Sequence, residues 1–267
     1  MLRIRSDEAA RSGGDFFSGL RAIRQLWPRC WRWFFVPSEH VVAPPRWTPA
    51  SSRERRDTSR ACELKACEAP HVSRPFSDPP DQLGCVVPDL RVAISEWAAK
   101  GVGPFLTLRS VTPGGYRYEG RSSKPKLDVA FSQQGDLQVE LIEPVNDQPS
   151  AYRDFLAAGG NGAHHHGWFC DDYAAELDSA KRDGRAELQR GNAAGARFVY
   201  YHPLGHGEMI GELIEMSDLS RRLFALIRRE AERWDGNRPS RSLLGAADWG
   251  IRWAAVKMQL AALVRQS

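Results

Sequence analysis

Residues 82–101 read QLGCVVPDLRVAISEWAAKG and residues 165–184 read HHGWFCDDYAAELDSAKRDG. The two stretches align without gaps at an offset of 83, which pairs Gln82 with His165, Gly84 with Gly167, Asp89 with Asp172 and Gly101 with Gly184. Apolar positions keep step, Leu90, Ile94 and Trp97 falling opposite Tyr173, Leu177 and Ala180. Further on, Glu140-Leu141-Ile142-Glu143 recurs as Glu212-Leu213-Ile214-Glu215 at an offset of 72, so the second copy is shorter in its middle. An internal repeat of this length is one supersecondary unit used twice.

Each copy reads as a strand, a helix and three strands. The first strand ends at an Asp placed to cap the helix N-terminus, since its carboxylate accepts a hydrogen bond from a free backbone N–H. The helix stops at a glycine suited to a left-handed cap. Apolar, alternating runs then predict strands over Phe105–Val111, Leu127–Ser132 and Leu137–Ile142 in the first copy. In the second copy they predict strands over Glu187–Gln189, Arg197–His202 and Met209–Ile214. Helices are expected over 149–158 and about 218–234, the latter with Leu219, Leu223, Ile227 and Trp234 on one face. The expected fold class is α+β: tandem β-α-β-β-β modules, about 82–145 and 164–216, paired into a curved mixed sheet with a concave cavity and helices outside.

Strand alternation separates the two faces of that sheet. Leu137, Val139 and Leu141 form a helix-covered face, which turns Gln138, Glu140 and Ile142 toward a cavity or solvent; Glu212 and Ile214 repeat this in the second copy. In the first strands Leu83 and Cys85 face the helix, leaving Gln82 and Gly84 on the side of Glu140, as His165 and Gly167 are on the side of Glu212. Pseudo-twofold pairing of the copies then brings Gln82, Glu140, His165 and Glu212 to one concave floor. Imidazole suits Zn, Ni or Co, and carboxylate and amide oxygens suit harder ions such as Mn or Mg, so the expected cofactor is a divalent metal ion.

At these residues the chain resembles the vicinal-oxygen-chelate superfamily, which includes glyoxalase I, methylmalonyl-CoA epimerase, extradiol dioxygenases and bleomycin-resistance proteins. The resemblance rests on QLGCVVPDL, LQVELIEP, HHHGWFCDD and GEMIGELIEM in that order and spans roughly 82–235. It implies metal ligands from the first and last strand of each module, which carry over to Gln82, Glu140, His165 and Glu212. Of the three adjacent histidines, His165 lies seven residues before Asp172 as Gln82 lies seven before Asp89. Gln82, where an extradiol dioxygenase would place a histidine, argues against that branch. Gln, Glu, His, Glu in this order looks like glyoxalase I, and YRDFLAAGG before the histidines looks like the broad glyoxalase-like branch.

The resemblance implies a lyase or isomerase acting on a metal-chelated carbonyl compound, with Glu212 moving the proton and Glu140 as second candidate. The alternative is a metal-free protein of the bleomycin-resistance kind that sequesters a small molecule. Phe169 and His206 are candidate substrate contacts. His164 and His166 are expected to support the site or to lie at the surface, and Trp168, Tyr200 and Tyr201 to be core or pocket wall.

The chain has 267 residues, 42% apolar and 26% charged, which excludes a fibrous or wholly disordered protein. Residues 1–80 hold fourteen Lys and Arg against nine Asp and Glu, so the net charge of +4 belongs to that segment and the remainder is near neutral. A nucleic-acid surface is therefore not expected. Residues 1–80 read as a basic, disordered extension, or as residues upstream of the real start of the gene product, before a boundary at Pro79-Pro80-Asp81, with one short helix from Phe16 to Trp27 and no secretory signal. Charges interrupt every apolar run, which argues against a membrane span. Five scattered cysteines without a CxxC pair suit reduced thiols in a cytoplasm. Residues 237–267 form a C-terminal extension, expected to be an amphipathic helix with Leu244, Ile251, Ala255 and Met258 on one face and to serve as a packing or homodimer element.

Overall fold

The computed structural model describes residues 76, 78–193 and 195–264. The readings of residues 1–75, the short helix among them, lie outside the described residues. The first module comprises β1 (Gln82–Val86), α1 (Leu90–Ala98), β2 (Phe105–Val111), a hairpin of β3 (Gly114–Tyr118) and β4 (Arg121–Ser122), β5 (Leu127–Gln134) and β6 (Leu137–Pro144). A short α2 (Ala151–Ala157) leads to the second module: β7 (Gly162–Cys170), α3 (Tyr173–Arg182), β8 (Glu187–Ala193), β9 (Ala196–Tyr201) and β10 (Ile210–Glu215). Then follow α4 (Asp218–Glu232), β11 (Ser240–Ser242), a 3-10 turn and α5 (Trp249–Val264). No helix among the described residues is long and apolar enough to cross a membrane.

The helix starts follow the sequence. Asp89 Oδ1 accepts from the N–H groups of Arg91 and Val92 at 2.8 and 3.1 Å, and Asp172 Oδ1 from that of Ala175 at 3.0 Å. Such a cap contributes about 1 kcal/mol. After the helices, Gly101 and Gly184 take φ of 83° and 73°, a backbone region that side chains disfavour. Leu90, Ala93, Ile94 and Trp97 of α1 are all buried. At about 1.5–3 kcal/mol per large apolar side chain, their burial docks the helix on the convex face of the sheet. Tyr173 and Ala180 of α3 do the same in the second module, packing with Cys170, Val199 and Leu213. Cys85 and Cys170 are free, buried thiols, and burial pushes both up to about 12.

One eleven-stranded mixed sheet runs β11-β2-β5-β6-β1-β7-β10-β9-β8-β3-β4. Its centre is the antiparallel pairing of β1 with β7, with β6 parallel to β1 on one side and β10 parallel to β7 on the other. This is the pseudo-twofold seam between the modules. The hairpin is not among the strands expected from sequence. It occupies the longer middle of the first copy, and its Gly114-Gly115 start reads as a loop. Only Thr112 and Pro113 separate β2, near one end of the strand order, from β3, which pairs with β8 near the other. So short a link spans about 11 Å at most, and the sheet must therefore curl into a deep cup.

The module helices cover the outside of the cup, while the helices added between and after the modules pack within it. Tyr152 of α2, Leu223 and Phe224 of α4 and Met258 of α5 line the same cavity as Val129, Ile142 and Ile214 of the sheet. Ala151 at the start of α2 donates its N–H to Gln189 Oε1 at 3.0 Å, which ties that helix to β8.

Candidate metal centre

The seam fixes the floor of the cup. Gln82 pairs across it with Gly167 and Gly84 with His165, so each polar side chain lies over a glycine of the opposite strand. The spacing is tight. A Cβ on Gly84 would sit 1.8 Å from Cε1 of His165, and one on Gly167 would sit 2.9 Å from Oε1 of Gln82. The glycines are thus the recesses into which the two candidate ligands fold.

The parallel neighbours supply the carboxylates. Glu140 on β6 lies opposite Gly84, and Glu212 on β10 lies opposite Gly167. Nε2 of His165 is 3.1 Å from Oε2 of Glu212 and 3.6 Å from Oε2 of Glu140. Candidate ligand atoms of Glu140, His165 and Glu212 all lie within 4.8 Å of one another. Gln82 donates its amide N–H to Oε1 of Gln138 at 2.7 Å, which leaves its own Oε1 buried with no partner. Oε2 of Glu212 is likewise buried and accepts no well-directed hydrogen bond, despite its closeness to His165.

Electrostatics place these groups under tension. For His165, burial is the largest influence and favours the neutral ring, but the adjacent carboxylates of Glu140 and Glu212 together outweigh it and raise the pKa from 6.5 to about 9. Glu212 is raised above its ordinary value, first by burial and further by Glu140, against the lowering effect of His165. Two carboxylates, one imidazole and an orphaned amide oxygen in a buried cluster are a donor set for a borderline or hard divalent cation, and the residues fit such an ion.

Three supporting features surround the candidate ligands. A β-bulge in β7 sets both His164 and His165 against Gly84, because the register moves from Gly84 with His165 to Cys85 with Ala163. His164 thereby turns its Nδ1 to within 3.0 Å of Nδ1 of His165. Burial, with the charge on His165 second, lowers the pKa of His164 to about 3, so this ring is neutral and its Nδ1 is available as the acceptor. Second, the hydroxyl of Tyr200, opposite Glu212 in register, is 3.3 Å from Nε2 of His165 and receives the hydroxyl of Tyr152 at 3.0 Å. Third, Gln138 turns the amide of Gln82. The pairing of Glu212 with Tyr200 can be read from strand alignment, whereas a bulge leaves no mark in a hydrophobic pattern.

Two candidate substrate contacts lie elsewhere. His206 sits in the exposed 202–209 loop and does not line the cavity, because this loop connects β9 to β10 away from the cup. Phe169 is half-buried and stacks on Phe224 with centroids 4.6 Å apart, so its ring supports the cavity wall from behind. His166 points to the opposite face, beside Trp168.

Residues 81–201 match the family model of the Glyoxalase/Bleomycin resistance protein/Dioxygenase superfamily. The fold is that of this vicinal-oxygen-chelate superfamily. Among solved structures, this vicinal-oxygen-chelate domain is similar to a hypothetical protein from Bacillus halodurans C-125, at 18% identity over 52% of this chain and 95% of that one, with a TM-score of 0.41. It is also similar to a methylmalonyl-CoA epimerase variant from Streptomyces coelicolor in complex with 2-nitronate-propionyl-CoA, at 22% identity over 53% and 96%, with a TM-score of 0.38. A methylmalonyl-CoA epimerase from Mycobacterium tuberculosis aligns at 22% identity over 55% and 91%, with a TM-score of 0.37. A search of curated proteins returned no match.

Proposed function

We propose that the protein is a divalent-metal-dependent, glyoxalase-like lyase or isomerase of the cytoplasm, whose metal is held by Gln82, Glu140, His165 and Glu212. The observation that carries this reading is the convergence of the Glu140, His165 and Glu212 ligand atoms within 4.8 Å, beside a Gln82 oxygen buried without a partner. A cation bound there supplies the positive charge that polarises a substrate carbonyl and acidifies the neighbouring C–H.

The chain's own groups handle the proton. Glu212 is buried on the cavity floor, so its carboxylate is placed to take a proton from carbon. Glu140 faces the same cavity from the opposite module and offers a second carboxylate for return of the proton. Glu212, as the more buried of the two, is assigned the first transfer. Tyr152 and Tyr200 exclude water from the His165 side of the site, and their paired hydroxyls hold the imidazole edge in place.

The test is metal content by mass spectrometry on protein purified without a histidine tag, wild type beside His165→Ala and Glu140→Ala. Near-stoichiometric divalent metal, lost in both variants, is expected. A wild type that binds none after reconstitution with Zn, Ni, Co, Mn or Mg would replace this reading with that of a metal-free binding protein.

A further inference from the structure

The cavity above the carboxylates has a volume of about 130 Å³. That is close to the ~150 Å³ of an apolar cavity that stays dry and takes a benzene-sized guest. Its wall is hydrocarbon from both modules and from the helices after them: Leu108, Val129, Phe131, Ile142, Phe198 and Leu223 among others. Polar groups are confined to the floor, to the Tyr152–Tyr200 hydroxyl pair and to Ser220, whose hydroxyl is bonded back to the Ser217 carbonyl at 2.9 Å. Apart from the fully buried His165 of the metal site, no Lys, Arg or His among the described residues lines the chamber. Lys257 lines a separate outer cleft of about 440 Å³ beside α5, which shares with the chamber Val111, Pro113, Ala193 and Met258.

Charge balance then limits what the chamber accepts. With the ion of the proposed function in place, the divalent charge is cancelled by Glu140 and Glu212, while Gln82 and a neutral His165 add none. The floor has no net charge left to offset an anionic substrate, and the walls offer no cation. A carboxylate or phosphate carried into this space would be a buried charge without a partner.

We infer that the substrate is an uncharged, apolar carbonyl compound of aryl size, with its adjacent oxygens on the Gln82–Glu140–Glu212 floor and its ring among Val129, Phe131 and Phe198. The inference rests on the proposed metal-site reading for the oxygens, and on chamber shape and lining alone for the ring. It also gives the added helices a role: α4 and α5 complete the hydrocarbon wall through Leu223, Phe224 and Met258.

A matched set of four probes tests it by calorimetry on the full chain loaded with Zn²⁺. 2-Hydroxyacetophenone and hydroxyacetone are neutral ketones with a vicinal oxygen; phenylglyoxylate and pyruvate are their anionic partners. 2-Hydroxyacetophenone is expected to bind at least about tenfold more tightly than hydroxyacetone and than phenylglyoxylate. The second inequality runs against intrinsic metal affinity, because a free carboxylate is the better chelator. Phenylglyoxylate binding as tightly as the neutral ketone, or no advantage for the ring, would overturn the inference. Ala196→Leu, which adds bulk to the wall, should weaken 2-hydroxyacetophenone about tenfold and leave hydroxyacetone within about twofold. Should that variant fold poorly, the wild-type series still decides. Titration with Zn²⁺ alone separates the two readings. If no ion binds, the metal site is refuted, and the same four probes on metal-free protein judge the chamber by the same order.

Discussion

The two modules share a backbone plan and differ in what they place on it. At the seam, Gln82 over Gly167 and His165 over Gly84 are the same pairing seen from either side, and Glu140 and Glu212 occupy equivalent places on the strands parallel to them. Yet the first module contributes an amide held by a neighbouring amide, while the second contributes an imidazole clasped by two carboxylates, a tyrosine and a second histidine. The comparison teaches that the repeat builds the cup symmetrically while the two seam strands carry different donors, an amide on β1 and an imidazole on β7.

The largest expected effect tests the seam itself. Gly84→Ala places a methyl 1.8 Å from a buried imidazole ring that has no room to retreat, whereas Gly167→Ala meets the end of the Gln82 side chain at 2.9 Å. The first should cost more than about 3 kcal/mol and abolish metal binding, and the second about 1 kcal/mol. Thermal unfolding with a parallel metal titration checks both; equal losses would mean that the two halves are as alike in packing as in topology.

The ligands come next. His165→Ala is expected to weaken metal binding by more than about a hundredfold, exceeding the range found for groups that only support a ligand. Gln82→Ala, which removes a neutral oxygen, should cost about tenfold, or about 1.4 kcal/mol. Competition with a chelating dye measures both. Gln82 outranking His165 would reverse this ranking of the two donors.

Much of this arrangement is legible in the amino-acid sequence. Asp89 and Asp172 cap their helices, β2 runs over Phe105–Val111 as its apolar alternation requires, and Glu140 and Glu212 face the cavity because the strand period is two. What the sequence conceals has physical causes. A bulge adds one residue without altering composition, so the pattern leaves His164 open between supporting the site and lying at the surface. The Gly-Gly start of β3 masks a strand whose partner, β8, lies in the other module. The placement of α4 and α5 within the cup depends on which face of the sheet remains open, and an amphipathic pattern records that a face is buried without saying against what. His206 is a histidine near a turn, which suits a pocket rim, but its loop leads away from the cup.

His164 sharpens the asymmetry, because its counterpart at the offset of 83 is Asp81, which lies outside the cluster and accepts the Phe169 N–H at 2.9 Å. A neutral His164 accepting from Nδ1–H of His165 holds that ring's proton on Nδ1 and leaves Nε2 free for the metal. His164→Phe should therefore weaken metal binding about 10–100-fold and shift the His165 tautomer seen by ¹⁵N NMR of metal-free protein, with partial rescue in His164→Asn. Asp81→Asn should leave metal affinity unchanged. A normal tautomer in His164→Phe would reduce the contact to packing.

The smallest effect belongs to the first module. Gln138 accepts one N–H of Gln82, and its own amide nitrogen is buried without a partner. Replacing it by Leu removes that unsatisfied donor as well as the hydrogen bond, and the two changes oppose each other in stability. Unfolding should shift by less than about 1 kcal/mol. Metal affinity should nonetheless fall about two- to tenfold, since Gln82 is then free to turn its oxygen away from the floor. The combination separates orientation from stability: affinity lost at constant stability means that Gln138 aims the ligand. In a double-mutant cycle with Gln82→Ala the Gln138→Leu effect should vanish, because the only route from Gln138 to the metal runs through the amide it holds.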